Sequence, residues 1–139
     1  MSDDIDFVIL WVDGNDSNWI IEKNKYLKKS FRLSSSDTSS SRFRDWSLLE
    51  YWFRGVETFA PWVRTIHFVT FGHLPSFLNI SAPKLHIVNH KDFIDRQCLP
   101  LFNSCAIEIN MNKIPGLANK FVYFNDDMFL TNNVSKDDF

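Results

Sequence analysis

The feature that most constrains the fold is an apolar run near the start of the chain, IDFVILWV at residues 5–12. It is rich in β-branched and aromatic residues, and only Asp6 interrupts it. A strand that is apolar at nearly every position is typical of a parallel sheet covered on both faces. Three further runs suit strands of the same, mostly parallel sheet, at residues 64–70, 85–88 and 121–124.

Helical patterns separate these strands. Residues 17–29 are predicted to form a helix with Ser17 as its N-cap. A second helix is predicted after Asp45, which can cap it, because apolar residues then recur at helical spacing as far as Phe59. Residues 103–113 are predicted to form a third helix. This order of elements predicts an α/β fold, with the sheet flanked by helices.

The composition supports one folded domain. Hydrophobic residues make up 45% of the 139 residues and aromatic residues 16%, which is enough apolar surface for a core. The net charge of −2 gives no electrostatic reason to expect a nucleic-acid partner. One stretch departs from this composition. Residues 33–41, LSSSDTSSS, are polar and of low complexity, and they are predicted to form a flexible loop.

Cysteine spacing and the N-terminal residues favour a reducing compartment. Cys98 and Cys105 show no CxxC spacing and are interpreted as free, half-buried thiols, with a disulfide or a metal pair as the alternative. The opening MSDDID is acidic where a signal peptide needs basic residues. The run at 5–12 is far shorter than the ~18 apolar residues of a membrane span. A cytoplasmic protein without a transmembrane segment is therefore expected.

Acidic, turn-forming residues follow two of the predicted strands. DGND at 13–16 follows the first strand, and Asn125, Asp126 and Asp127 follow the fourth. In a parallel sheet both groups lie at the edge where open α/β sheets bind ligands. Mg²⁺ suits such a site, because it takes one or two carboxylates and completes its shell with water and phosphate oxygens. Solvated turns are the competing interpretation, since Asp-Gly and Asn-Asp are ordinary turn pairs.

The histidines and tryptophans carry weaker signals. His67 and His86 lie within predicted strands and are interpreted as packed core or surface residues. His73 and His90 fall at strand ends, where a polar role is open. The Trp and Phe residues of 46–62 recur with a helical period, so they are interpreted as core and not as a sugar-binding platform.

Longer blocks of the sequence carry a family resemblance. The Stealth family has successive blocks similar to IDFVILWVDGNDSNW, RFRDWSLLEYWFRGVETFAPWVRTIHFVTFGHLPSFLN, PKLHIVNHKDFI, LPLFNSCAIEINMNKIPGL and KFVYFNDDMFL. The family comprises sugar-phosphate transferases of bacterial capsule and exopolysaccharide synthesis, and it is related to the eukaryotic N-acetylglucosamine-1-phosphotransferase. Residues 1–139 resemble the N-terminal part of such a catalytic domain, and the later blocks of the family are missing from them.

The resemblance implies a fold and a reaction. The expected fold is GT-A-like or Rossmann-like, and it is expected to be incomplete. The implied reaction transfers hexose 1-phosphate from a nucleotide-sugar, typically a UDP-hexose, to a sugar hydroxyl and releases nucleoside monophosphate. The implied partners are a nucleotide-sugar donor, a glycan acceptor and a membrane-bound polysaccharide assembly system at the inner face of the membrane. Two alternatives stay open: a metal-dependent glycosyltransferase, and an inactive remnant that only binds nucleotide-sugar.

The resemblance also implies roles for individual residues. Asp126 and Asp127 are implied as catalytic residues and as ligands of Mg²⁺ or Mn²⁺. Arg44 is implied as a third catalytic residue, and arginines of this block can contact phosphate oxygens in bidentate fashion. The implied substrate-binding residues are Asp13, Gly14, Asn15, Asp16, Arg42, Asn103 and Ser104.

Overall fold

A computed structural model describes residues 4–27 and 47–139 of the chain. Within them, four strands form one sheet in which every pairing is parallel, in the spatial order β3-β2-β1-β4. The prediction of an α/β fold is confirmed, and so is the placement of the first and fourth runs in one sheet. The strands are β1 (Ile5–Trp11), β2 (Ile66–Thr70), β3 (Leu85–Asn89) and β4 (Lys120–Phe124).

Three α-helices accompany the sheet in the described residues: α1 (Ser17–Leu27), α2 (Leu49–Phe59) and α3 (Ser104–Glu108). The predicted cap of α1 is wrong, because the Asp16 carboxylate accepts the Trp19 N–H and leaves Ser17 as the first helical residue. Helix α3 is shorter than predicted, since the Asn110 side chain bonds the Ala106 carbonyl and competes with the helical ladder. The proposed cap Asp45 and the serine-rich residues 33–41 lie outside the described residues.

Two apolar layers cover the faces of the sheet. Phe7 and Ile9 of β1 face α2, which buries Trp52 and Val56 against them. Val8 of β1 faces the opposite layer, which is built from residues 93–117. The alternation along β1 therefore fills both layers, as a strand buried on both faces requires. The prediction that the Trp and Phe residues of 46–62 belong to the core is confirmed for Trp52, Phe53 and Trp62, whereas Tyr51 is exposed.

The chain returns across α2 after it leaves β4. Val134 N–H donates to the Phe59 carbonyl at 3.0 Å, and the Trp62 indole donates to the Val134 carbonyl at 2.7 Å. A Cβ on Gly55 would lie 3.3 Å from the Leu130 carbonyl oxygen, so glycine permits the close approach of this return segment to α2. Residues 130–134 are thereby fixed on the helix.

A buried carboxylate links the amino ends of the strands. Asp6 is 0% exposed and accepts hydrogen bonds from Arg64 Nε at 2.8 Å, His67 Nε2 at 2.9 Å and the Ala118 N–H at 2.8 Å. His67 in turn lies with its Nδ1 3.0 Å from Nδ1 of His86. Because Nε2 of His67 donates to the carboxylate, neutral His67 accepts at Nδ1 and His86 donates.

The electrostatics of this network follow from burial and pairing. Burial alone would raise the pKa of the Asp6 carboxyl, but hydrogen bonds from Arg64, His67 and the Ala118 N–H outweigh it and lower that pKa. Burial lowers the pKa of His67 more than Asp6 raises it. The ring is therefore a packed, neutral core residue, which confirms the sequence-based interpretation of His67.

Replacing Asp6 tests the network. Asp6→Asn should lower the free energy of unfolding by about 3 kcal/mol, because an amide turns one acceptor oxygen into a donor facing other donors. Urea unfolding followed by tryptophan fluorescence measures the change. Asp95→Asn, at an exposed acid without a capping bond, is the matched control and should shift stability by less than about 0.5 kcal/mol. Equal stability of the two variants would contradict this account.

Candidate functional site

The strand order reverses between β1 and β4, and we use the term crevice for the position at the carboxyl ends of these two strands. The chain moves from β1 to β2 and β3 on one side, and β4 then pairs with the other side of β1. In open α/β sheets, ligands bind at such a reversal, outside the carboxyl ends of the strands. Ile9 pairs with Phe124, so the DGND loop and the residues after Phe124 leave neighbouring strand ends. The two acidic groups singled out in the sequence thus flank this crevice.

The DGND loop is held by short-range hydrogen bonds. Asp13 Oδ1 accepts the Asn15 N–H at 2.8 Å, which closes an Asx turn. Asp16 Oδ1 accepts the Trp19 N–H at 2.7 Å and caps α1. Asp13, Gly14 and Asp16 are half-buried and Asn15 is exposed. One carboxylate oxygen of Asp13 and one of Asp16 therefore accept backbone hydrogen bonds within the loop and helix.

His73 anchors this loop to the end of β2. Its Nε2 accepts the Asp13 N–H at 2.7 Å, so the neutral ring carries its proton on Nδ1, which lies 3.8 Å from Asp16 Oδ1. Burial lowers the pKa of His73 against the opposing effect of the two acids. The sequence showed only a histidine at a strand end, and the contact across 60 residues left no signal in the spacing.

Aromatic rings connect the DGND loop to the segment that carries Asn103 and Ser104. Phe102 packs edge-on to Trp19 of α1 and stacks on Phe71 with ring centroids 5.8 Å apart. Asn103 Oδ1 accepts the Cys105 N–H at 2.9 Å and caps α3, whose first residue is the exposed Ser104. The structure therefore brings these two residues close to α1, with Asn103 occupied as a cap.

The residues after β4 form an exposed turn. Met128 N–H donates to the Asn125 carbonyl at 3.1 Å, and Asn125, Asp126 and Asp127 are all exposed. Exposure means that water offsets the charge of the adjacent acids, so the desolvation expected for a buried pair does not arise. Among residues 4–27 and 47–139, no group of three His, Cys, Asp or Glu side chains is arranged to hold a metal ion.

Tyr123 links this turn to α3. Its hydroxyl lies 3.1 Å from Glu108 Oε1 and 2.5 Å from Asn125 Oδ1. Burial and the neighbouring Glu108 raise the pKa of the phenol, which therefore stays protonated. Sequence reasoning missed both Tyr123 and Glu108, because a tyrosine in a strand and a glutamate in a helix carry no pattern of their own.

The structure does not bring the remaining predicted residues into this site. Arg42 and Arg44 lie outside the described residues, so their roles remain predictions. Cys98 and Cys105 are free thiols as expected, but they are exposed and not half-buried.

Two family models match the chain. Conserved region 1 of the Stealth proteins matches residues 3–30, and conserved region 2 matches residues 42–139. The chain belongs to the Stealth family. Stealth region 1 supplies β1, the DGND loop and α1, and Stealth region 2 supplies the rest of the described fold. The bond from Asp13 to His73 therefore joins the two Stealth regions at the crevice.

Curated relatives support the same assignment. The chain is 47% identical over 135 residues to the capsular polysaccharide phosphotransferase CpsJ of Streptococcus thermophilus. The aligned region covers 97% of this chain and 57% of that protein. The chain is 44% identical over 136 residues to the exopolysaccharide phosphotransferase cps2G of Lactiplantibacillus plantarum, covering 98% of this chain and 39% of that protein. The chain thus spans little more than half the length of CpsJ and less of cps2G. In the part that the structure describes, no helix has the length and apolar character needed to cross a bilayer.

His90 directly follows β3, so it lies at the same carboxyl edge of the sheet, on the other side of β2 from β1. It is 8% exposed, and its Nδ1 has no hydrogen-bond partner among the described residues. Burial, with a smaller contribution from His73, lowers its pKa to about 4. The unfolded chain binds a proton near the ordinary value of 6.5, so this histidine costs the fold stability as pH falls from about 6.5 towards 4.

The pH dependence of stability tests the burial of His90. Lowering the pH from 7 to 5 should reduce the unfolding free energy of the native chain by about 2 kcal/mol through His90 alone. In His90→Gln this part of the decrease should disappear, since glutamine does not titrate. Urea unfolding at both pH values measures the difference. An identical decrease in the variant would show that His90 is not buried in its neutral form.

Proposed function

We propose that this chain forms the donor-binding part of an enzyme that transfers hexose 1-phosphate from a nucleotide-sugar of the UDP-hexose type to a sugar hydroxyl, in capsular or exopolysaccharide synthesis. The observation that carries the proposal is the pair of acidic strand ends flanking the crevice between β1 and β4. The names of the relatives, capsular and exopolysaccharide phosphotransferases, support the reaction class. We further propose that the enzyme works in the cytoplasm, at the inner face of the membrane.

The transfer exchanges one phosphorus–oxygen bond for another. The acceptor hydroxyl oxygen bonds to the phosphorus that carries the sugar, and the bond from that phosphorus to the bridging oxygen breaks. Nucleoside monophosphate leaves, and the acceptor oxygen loses its proton. Such a reaction depends mainly on positioning the phosphates and on neutralising their charge. The residues that bind and orient the diphosphate should therefore contribute most to catalysis.

On this proposal, the DGND loop and the residues packed beside it bind the diphosphate. The DGND loop is already fixed by His73 and by the cap on α1, so its backbone presents a preorganised surface to the donor. Asn103 and Ser104 approach α1 through Phe102 and extend that surface. Arg42 and Arg44 would add the positive charge that the phosphates require.

Asp126 and Asp127 fit a hard divalent cation. They are exposed carboxylates at a strand end, and Mg²⁺ needs only one or two such ligands when waters and phosphate oxygens supply the rest. The absence of a three-residue metal cage in the described residues agrees with a cation that binds together with the donor. When bound, Mg²⁺ or Mn²⁺ would neutralise charge on the phosphoryl oxygens.

Donor binding and product identity test the proposal. UDP-glucose and UDP-N-acetylglucosamine should bind a full-length relative more tightly with Mg²⁺ than without it. Asparagine at the positions matching Asp126 and Asp127 should weaken the Mg²⁺-dependent binding by about tenfold or more. Calorimetry measures the affinity, and chromatography of the products measures release of nucleoside monophosphate.

The same experiment separates the alternatives. Asparagine at the position matching Asp137, an exposed acid away from the crevice, should leave binding and turnover unchanged. Release of nucleoside diphosphate and formation of a glycoside would indicate a glycosyltransferase instead. If both strand-end variants bind and react as the unmodified enzyme does, the acids are solvated turn residues and the assignment is wrong.

A further inference from the structure

Asp13 is the residue that holds the DGND loop together. Its carbonyl accepts the Asp16 N–H at 3.1 Å, and its Oδ1 accepts the Asn15 N–H at 2.8 Å, so both bonds lie within the loop. Its own N–H donates to Nε2 of His73 at 2.7 Å, and this third bond reaches a residue 60 positions away. The loop therefore sets its own internal geometry, while His73 determines where the loop lies against the sheet.

His73 can make this bond in one form only. A backbone N–H can only donate, so Nε2 must be the unprotonated nitrogen of a neutral ring. A proton on Nε2 would place two N–H groups against each other and break the contact. Burial lowers the pKa of His73 against the opposing charges of Asp16 and Asp13, which favours the neutral ring. The contact with the loop thus belongs to a histidine that stays uncharged at neutral pH.

The end of β2 fixes the position of His73. Thr70, the last residue of β2, is fully buried, and its hydroxyl donates to the His73 carbonyl at 2.6 Å. The same hydroxyl accepts the Gly72 N–H at 3.3 Å, in a turn where Gly72 has a φ of 138°, which residues with a side chain rarely adopt. Trp11 of β1 packs against the imidazole with ring centroids 5.3 Å apart. The sheet itself therefore defines where Nε2 lies.

We propose that His73 is a positioning residue of the donor site: it holds the DGND loop in its donor-binding conformation by accepting the Asp13 N–H, and the Thr70 hydroxyl fixes His73 for this role. The inference rests on the proposed function, because it concerns how the same loop is held. Neither side chain has to touch the donor. A loop that is fixed before binding has less conformational entropy to lose, so the bond to His73 should contribute to donor affinity.

Substitutions at His73 test whether a hydrogen-bond acceptor is required there. The assay is calorimetric binding of UDP-glucose with Mg²⁺ to a full-length relative that has threonine and histidine at the positions matching Thr70 and His73. His73→Leu removes the acceptor and should weaken binding about tenfold. His73→Gln should stay within about threefold of the native affinity, because its amide oxygen can lie near the position of Nε2 and accept the same N–H. If glutamine binds as weakly as leucine, the positioning role is overturned.

Substitutions at Thr70 test the support behind His73. Thr70→Val keeps the shape of the side chain without the hydroxyl and should weaken donor binding about threefold or more, whereas Thr70→Ser should bind normally. Thr58→Val is the matched control, because the Thr58 hydroxyl also donates to a backbone carbonyl, that of Arg54 at 2.8 Å, but on α2. Its donor affinity should be unchanged. Native affinity in Thr70→Val would overturn the part assigned to Thr70.

Amide hydrogen exchange in the 139-residue chain reports on the loop without a donor. In His73→Leu the Asn15 N–H should exchange about tenfold faster, because the turn that protects it is no longer anchored to the sheet. The Ser81 N–H is an internal control, since it closes the same kind of turn on Asn79 Oδ1 at 3.1 Å in another loop, and its rate should not change. An unchanged rate at Asn15 would show that the loop keeps its conformation without His73, which overturns the positioning role.

The outcomes separate the two proposals. If the relative binds UDP-glucose with Mg²⁺ and His73→Leu binds it as tightly, the positioning role is overturned and the proposed function stands. If the unmodified relative binds neither UDP-glucose nor UDP-N-acetylglucosamine, the proposed function is overturned, and the inference that rests on it falls as well. If Thr58→Val weakens donor binding as much as His73→Leu does, a general loss of stability explains both results, which also overturns the positioning role.

Discussion

The Asp6 carboxylate joins segments that are remote in sequence, and the arrangement of the sheet depends on this contact. Arg64 and His67 reach it from the start of β2, and the Ala118 N–H reaches it from the segment before β4. A buried charge is tolerated only when donors surround it, so all these segments must assemble together. Because the contact lies at the amino ends of the strands, it fixes the alignment that sends their carboxyl ends to the opposite edge.

The two edges of the sheet therefore have different character. The amino edge contains a saturated polar network that is closed to water at Asp6. The carboxyl edge exposes Asn125, Asp126 and Asp127 beside a loop whose backbone is already fixed by His73. This division suits the proposed donor-binding role, since the burial that stabilises the fold is separated from the exposed oxygens proposed to meet a charged ligand.

Much of this could be predicted from the sequence, because the strongest signals are local. The apolar runs predicted the four strands, and continuous burial of β1 predicted parallel pairing. The acidic residues after β1 and β4 could be placed at one edge once the strands were parallel. The short-range prediction of Ser17 as a cap failed because Asp16, one residue earlier, is the better acceptor. Element boundaries depend on such competition between neighbours.

The rest depended on contacts that no spacing encodes. His73 meets Asp13 across 60 residues, and the Asp6 network spans more than 100 residues to Ala118. The length of α3 was overestimated because the Asn110 side chain donates to the Ala106 carbonyl and competes with the helical ladder. Tyr123 and Glu108 became visible only through the position of one hydroxyl between two acceptors. These contacts depend on the tertiary structure, so a local pattern of residue types does not predict them.

The return of the chain across α2 has a consequence for entropy. The acidic turn is bounded on one side by β4 and on the other by residues 130–134, which are clamped to α2 and pass close to Gly55. A segment tied at both ends has few conformations to lose when it meets a ligand, so binding there bears little of the ordering cost that a free loop would impose. A methyl group at position 55 would press directly on the Leu130 carbonyl of that segment. A glycine on α2 thus helps to determine how the acidic turn is held.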